Sequence, residues 1–224
     1  MNMTRKVLAG MALSSLLLTG CVSKVTEQDQ YSGFLPSYEG LLEVTTPSGA
    51  KVMRWMAPGF TPSAYNTVVF KQLELFPAPK PSDRVNLQTL QNLQAYASLG
   101  AKNVLSQKYV VVPDLKSAPA GSRTLIMNVA ITGVSASNEG MKWYEIVPVA
   151  AVISGVSAAT GHRDQNTELY LEADLIDAKS GLPVVKVVRK VFGEVLKNAS
   201  QPITINDFKA AIKGVSDDMN ALLK

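Results

Sequence analysis

The sequence predicts an α+β fold: a two-layer sandwich in which an antiparallel sheet carries two amphipathic helices packed on one face. Three observations lead there. Residues 168–176 and 184–192 each alternate apolar and polar side chains, and a five-residue turn, 177–181, lies between them, which is the pattern of a hairpin with one wet face. Residues 85–106 and 206–223 repeat apolar side chains at three- and four-residue steps, the period of a helix with one buried stripe. The 204 residues that follow position 20 are enough for one sizeable core.

At the N-terminus, Arg5 and Lys6 precede twelve mostly apolar residues, 7–18, and then Leu18-Thr19-Gly20-Cys21. A positive start and a short apolar run read as an export signal, too short for a stable spanning helix. The tetrapeptide resembles the lipobox of bacterial lipoproteins. That resemblance implies cleavage before Cys21, lipid attachment to its sulfur and acylation of the new amine. Cys21 is the only cysteine of the chain, so no disulfide within one copy competes for it. Three segments follow: a signal peptide over residues 1–20, a lipidated tether over 21–30 and a single periplasmic domain over 31–224.

The tether (VSKVTEQDQ) is polar and has no apolar period, so flexibility is expected. Residues 31–41 interleave aromatics and leucines with turn formers, and are expected to lie across the domain. A short strand is expected over 52–55, then a longer one over 67–76 with Val69, Lys71, Leu73 and Leu75 on one side. Pro77, Pro79 and Pro81 end it. Ser82 and Asp83 are candidate caps for the first helix, whose stripe is Leu90, Leu93, Ala97, Ala101, Val104 and Leu105. Gly100 sits inside that helix at a cost of about 1 kcal/mol relative to alanine, which implies a close contact or a bend.

Strands are next expected over 109–112 and 123–136. In the hairpin, a loop over 177–181 with Gly181 left-handed sets Glu172 opposite Lys186, Glu168 opposite Lys190 and Leu171 opposite Val187. Opposite charges then meet on the wet face. The last helix carries Phe208, Ile212, Val215, Met219 and Leu222 on one stripe, capped by Thr204 or Asn206.

The 22 basic and 18 acidic residues include Arg5 and Lys6, leaving 20 against 18 after the signal. So small a surplus offers no electrostatic ground for nucleic-acid binding. The attachment to the membrane is expected through the N-terminal lipid alone, because no second apolar run reaches about 18 residues.

Several stretches together resemble a known family. They are Tyr31-Ser32-Gly33-Phe34-Leu35, Tyr144-Glu145-Ile146-Val147-Pro148-Val149, Thr160-Gly161-His162-Arg163-Asp164, the run from Glu172 to Gly181, and Val188-Arg189-Lys190. The family consists of proteobacterial lipoproteins known only as a domain of unknown function (3313). The resemblance covers nearly the whole chain after the signal. It implies an envelope location and an α+β domain, and it brings no activity and no catalytic residues. The order of strand, helix and hairpin is also similar, in architecture only, to periplasmic domains of lipoproteins in secretion assemblies such as the curli export channel.

Chemistry is sparsely marked. His162 is the only histidine, with Asp164 near it and Ser135, Ser154 and Ser157 as available hydroxyls, but no G-x-S-x-G occurs. A small envelope hydrolase using His162 is the competing reading. No cofactor motif appears, and one histidine with a lipid-bearing cysteine leaves no transition-metal set.

Residues 143–159 (WYEIVPVAAVISGVSAA) are longer and more apolar than a strand connection needs. They either complete the core or meet lipid or another envelope protein. Contact with a partner or membrane is expected at Trp143, Tyr144, Val149, Val152, Ile153 and Val156. The whole reads as a lipid-anchored periplasmic binding or assembly module without catalysis, meeting an envelope protein partner or a second copy of itself. By analogy with enterobacterial lipoprotein sorting, Val22 in place of Asp after the lipidated cysteine implies the periplasmic face of the outer membrane, with retention at the inner membrane as the alternative.

Overall fold

A computed structural model of the chain describes residues 24–79, 85–137, 165–198 and 200–224. Their strands are β1 (Leu42–Thr45), β2 (Lys51–Met56), β3 (Thr67–Val69), β4 (Glu74–Leu75), β5 (Val110–Val112), β6 (Thr124–Ser137), β7 (Gln165–Asp177) and β8 (Pro183–Leu196). The helices are α1 (Leu87–Leu105) and α2 (Lys209–Leu222). The strands form one eight-stranded sheet in the order β1-β2-β8-β7-β6-β3-β5, with β4 also paired to β6. The class is α+β, but the sheet is mixed and not antiparallel as expected. β3 runs parallel to both β5 and β6, and β4 runs parallel to β6. The cause is topological: α1 lies between β3 and β5 in sequence, and a helical crossover is the connection that lets two neighbouring strands run the same way.

The single strand expected over 67–76 is two short ones. Between them Phe70 donates its N–H to Val112 O at 2.9 Å, while Leu73 leaves the ladder and donates to Ser98 Oγ of α1 at 2.9 Å. Phe70 and Leu73 are both buried, and Lys71 and Gln72 are exposed between them. Two core side chains three positions apart cannot share a face of a regular strand, so the chain bends to bury both.

β7 and β8 form the long hairpin, in a register two residues from the expected one. Tyr170 lies opposite Lys190, Ala173 opposite Val187 and Asp174 opposite Lys186. Asp177 belongs to the strand, since its N–H donates to Leu182 O at 3.0 Å, which moves the pairing by one. An irregularity between Leu175 and Ile176 moves it by one more. Two single steps restore the original faces, so the apolar alternation survives although every partner changes. Gly181 is left-handed (φ +70°), as the turn requires. Asp177 Oδ1 accepts the N–H groups of Lys179 and Ser180 at 2.8 and 2.9 Å, which closes the turn.

α1 buries the six residues of its predicted stripe. Its cap is Asn86, whose side chain accepts the Thr89 N–H at 2.8 Å, so the helix begins at Leu87; Ser82 and Asp83 lie outside the described residues. The last helix is shorter than expected, because a 3₁₀ turn, Ile205–Phe208, leads into α2. Thr204 caps that turn in a reciprocal box with Asp207. α1 and α2 meet at Gly100, where a Cβ would stand 3.0 Å from Ser216 Oγ, so the expected close contact exists. The core joins both helices to the sheet through Leu93, Leu105, Leu125, Ile131, Leu169, Leu196 and Phe208, all fully buried. Each such side chain contributes about 1.5–3 kcal/mol.

The described part of the expected tether carries local structure. Gln28–Gln30 form a 3₁₀ turn closed by reciprocal bonds between Glu27 and Gln30, and Thr26 is buried. The following segment crosses the sheet as expected. Ser32 N–H and Tyr38 OH donate to the two oxygens of Glu172 at 2.8 and 2.6 Å, and Tyr31 stacks on Tyr38.

Candidate functional site

Between the sheet and the two helices lies a cavity of about 140 Å³. Its walls come from residues that the strand and helix periods aim inward: Met127 and Val129 of β6, Leu171 and Ala173 of β7, Val185 and Val187 of β8, Ala97 and Ala101 of α1, and Ile212, Val215 and Met219 of α2. The space exists because three inward positions, Ala97, Ala101 and Ala173, carry only a methyl group.

Four charged residues border this apolar lining: Arg54, Asp174, Arg189 and Asp218. Arg189 of β8 shares its strand face with Val185, Val187 and Val191, and its side chain is only 9% exposed. Nη1 lies 2.8 Å from Asp218 Oδ2 of α2. Asp218 also accepts the Ser48 N–H at 3.0 Å and the Ser48 hydroxyl at 2.7 Å, so the turn between β1 and β2 is tied to α2. Burial works against ionising Asp218, but the hydrogen bonds from Ser48, Thr46 and Arg189 outweigh it and hold the carboxyl below its usual value. Nε of Arg189 is buried and has no acceptor among the described residues. Arg54 of β2, half-buried, also lines the cavity and makes no ion pair among the described residues.

Sequence reasoning missed this site. The signal was present in part: Arg189 is the one charge in the apolar phase of 185, 187 and 191, and Asp218 lies one position from the apolar stripe residue Met219.

The charged hairpin face does not stand open to water. Glu168, Glu172, Asp174, Lys186 and Lys190 are all buried. Glu172 is occupied by Ser32 and Tyr38, not by Lys186, and Lys186 Nζ donates to Glu39 O at 2.6 Å while resting over the Trp55 ring. Glu168 keeps a long pairing with Lys190 at 4.0 Å and accepts Tyr170 OH at 2.5 Å and Ser135 Oγ at 3.2 Å. The Tyr170 phenol is strongly raised, by burial first and then by the neighbouring Glu168 charge. Asn128 Nδ2 donates to Asp174 Oδ1 at 2.9 Å, while burial raises the Asp174 carboxyl above its usual value. The segment over 31–41 supplies the partners of Glu172 and Lys186, because its turns leave backbone groups and a phenol free to satisfy them.

Cys21, Trp143, Tyr144, Val149, Val152, Ile153, Val156 and His162 lie outside the described residues. Ser135, one of the hydroxyls available to the hydrolase reading, sits buried against Glu168. Among the described residues, no cluster of three His, Cys, Asp or Glu could hold a metal ion, and no helix is long and apolar enough to cross a membrane.

Comparison with known proteins places the site in context. A family model described as "Protein of unknown function (DUF3313)" matches residues 30–219. The chain is 42% identical over 208 residues to the uncharacterized lipoprotein YdcL of Escherichia coli K12, covering 92% of this chain and 91% of YdcL. YdcL of Escherichia coli O157:H7 matches equally, at 42%. Among solved structures, a PelC dodecamer from Paraburkholderia phytofirmans is similar with a TM-score of 0.36 at 11% identity, over 73% of this chain and 94% of that one. That likeness is too distant to bear on function.

Proposed function

Since the chain belongs to the DUF3313 family and its Escherichia coli relative is a lipoprotein, we propose that it is a lipid-anchored envelope module that works by binding, without catalysis. Cys21 carries the lipid, and Val22 after it directs the protein to the periplasmic face of the outer membrane. The binding site is the cavity between the sheet and the helices, with α1 and α2 on one face of the sheet. The observation that carries this reading is an apolar cavity of about 140 Å³ with a buried, partly unpaired arginine in its wall. Ligand sites are concave, mostly apolar and marked by a few placed polar groups, and this cavity has that make-up.

Benzene is the probe, since an apolar cavity of about 150 Å³ takes it up. Added benzene raises the thermal midpoint of the full chain, because a ligand that binds only the folded form stabilises it. Ala101→Leu, which fills the cavity, abolishes that rise. A midpoint that benzene leaves unchanged removes the binding role of the cavity. Mass spectrometry of the N-terminal peptide checks the anchor: an unmodified Cys21 sulfur removes that half. Residues 143–159 belong to the same proposal as a contact for a partner or for membrane; aspartate at Val152 or Ile153 then abolishes co-purification with envelope proteins while the fold survives.

A further inference from the structure

We propose that the cavity takes an anionic amphiphile, an apolar chain of about six to eight carbons that ends in a carboxylate. This rests on the reading of the cavity as a binding site and adds the chemistry of what it binds. The apolar walls select the tail. The head group follows from the charges that border them. Arg189 and Asp218 neutralise each other at 2.8 Å, and Asp218 also accepts two hydrogen bonds from Ser48, so the charge of that acid is already matched. Arg54 is then a surplus positive charge on the cavity wall. Asp174 also borders the cavity, but its position alternates with the inward Ala173 and Leu175, and its carboxylate is held by Asn128 at 2.9 Å in that alternate phase, whereas Arg54 stands in register with the inward Val187.

A second observation points the same way. Arg189 is nine-tenths buried, yet its Nε has no acceptor among the described residues. A buried donor without a partner is costly, and it is satisfied when a ligand supplies the missing oxygen. A guanidinium presents its N–H groups in a planar fork that fits a carboxylate. One carboxylate oxygen on Arg189 Nε and the other toward Arg54 would satisfy both groups. A cationic head would meet Arg54 unfavourably, and an ester would leave its charge unmatched.

The test is equilibrium binding of radiolabelled octanoate to the full chain held in lipid nanodiscs, with empty nanodiscs subtracted. Methyl octanoate and octylamine serve as competitors. Saturable binding of one octanoate per chain is expected, with each competitor at least fivefold weaker. Arg54→Gln weakens octanoate at least fivefold, and Arg54→Lys, which keeps the charge, stays within fivefold of the parent. Ala101→Leu abolishes binding, which keeps the proposal open to refutation if Arg54→Gln fails to fold. The proposal is overturned by an absence of saturable binding, by either competitor matching octanoate within fivefold, or by Arg54→Gln binding as the parent does. If benzene still stabilises the chain in any of those cases, the carboxylate assignment alone has failed. If benzene has no effect either, the cavity as a binding site has failed with it.

Discussion

Arg189 and Asp218 meet at 2.8 Å with their side chains 9% and 6% exposed, joining the long strand β8 to the last helix across a mostly apolar layer. Ser48 reaches the same carboxylate from the turn between β1 and β2, so one acid holds three elements together. Replacing a buried ion pair by apolar residues is often harmless, whereas removing one partner strands the other.

Asp218→Ala therefore costs about 3–5 kcal/mol, because it leaves the Arg189 charge buried and unpaired. For a domain of this size that lowers the thermal midpoint by roughly 6–20 °C. The double variant Asp218→Ala with Arg189→Met recovers much of the loss. Thermal melting of the two proteins decides the matter; equal midpoints would show that the pair is not the cause.

Acid should act on two carboxylates in opposite directions. The Asp218 carboxyl is lowered in the folded chain, so its contribution is complete above the ordinary value of 3.8 and is lost as pH falls through the native value. The Asp174 carboxyl is raised by burial, so stability falls as pH rises from 3.8 through its native value. Asp174→Asn keeps the bond with Asn128 and removes the charge. At pH 7 it is expected to melt higher than the parent, with the difference fading toward pH 3. Asp218→Asn is expected to melt lower at pH 7, also with a difference that fades in acid. Melting curves at several pH values compare them.

Tyr38→Phe removes one of the two donors that reach the Glu172 carboxylate from the described residues, and Glu172 is 1% exposed. The expected cost is about 1–3 kcal/mol, the penalty for leaving a buried acceptor short of a partner. Burial, with the hydrogen bond and charge of Glu172, pushes the Tyr38 phenol up from 10.0 to about 12. The stability this group contributes is whole below pH 10 and is lost as pH rises through about 12, so the variant should lose less than the parent over that interval. Alkaline melting curves test this.

Two glycines should respond differently to alanine. At Gly193 a Cβ would stand 2.4 Å from Asp207 O and 2.7 Å from the Phe208 ring, and the backbone before α2 cannot yield cheaply. Gly193→Ala is expected to cost about 1–3 kcal/mol or more, the range for overpacking. At Gly100 the obstacle is the Ser216 hydroxyl at 3.0 Å, which can rotate away. There the helix gains about 0.5–1 kcal/mol from alanine, so Gly100→Ala is neutral or stabilising. Denaturant midpoints for the pair check both signs.

The sequence by itself determined the elements whose residues carry their own period. The six buried positions of α1, the alternation in β7 and β8, the left-handed Gly181 and the crossing of the sheet by residues 31–41 all follow from local pattern. The family too was readable in scattered motifs, since the match over residues 30–219 spans all of them. Tertiary structure alone decided the parallel pairing of β3 with β5 and β6, because strand direction depends on where a crossover helix places the chain. It decided the hairpin partners, because an irregularity can move a register by one residue without changing the local pattern. It decided that Glu172 is buried under Ser32 and Tyr38, and that Arg189 meets Asp218 across 29 positions of sequence. The physical reason is common to these cases. Periodicity records which side of its own element a residue faces, while burial, charge pairing and an unfilled space between layers are properties of what the rest of the chain brings to that side.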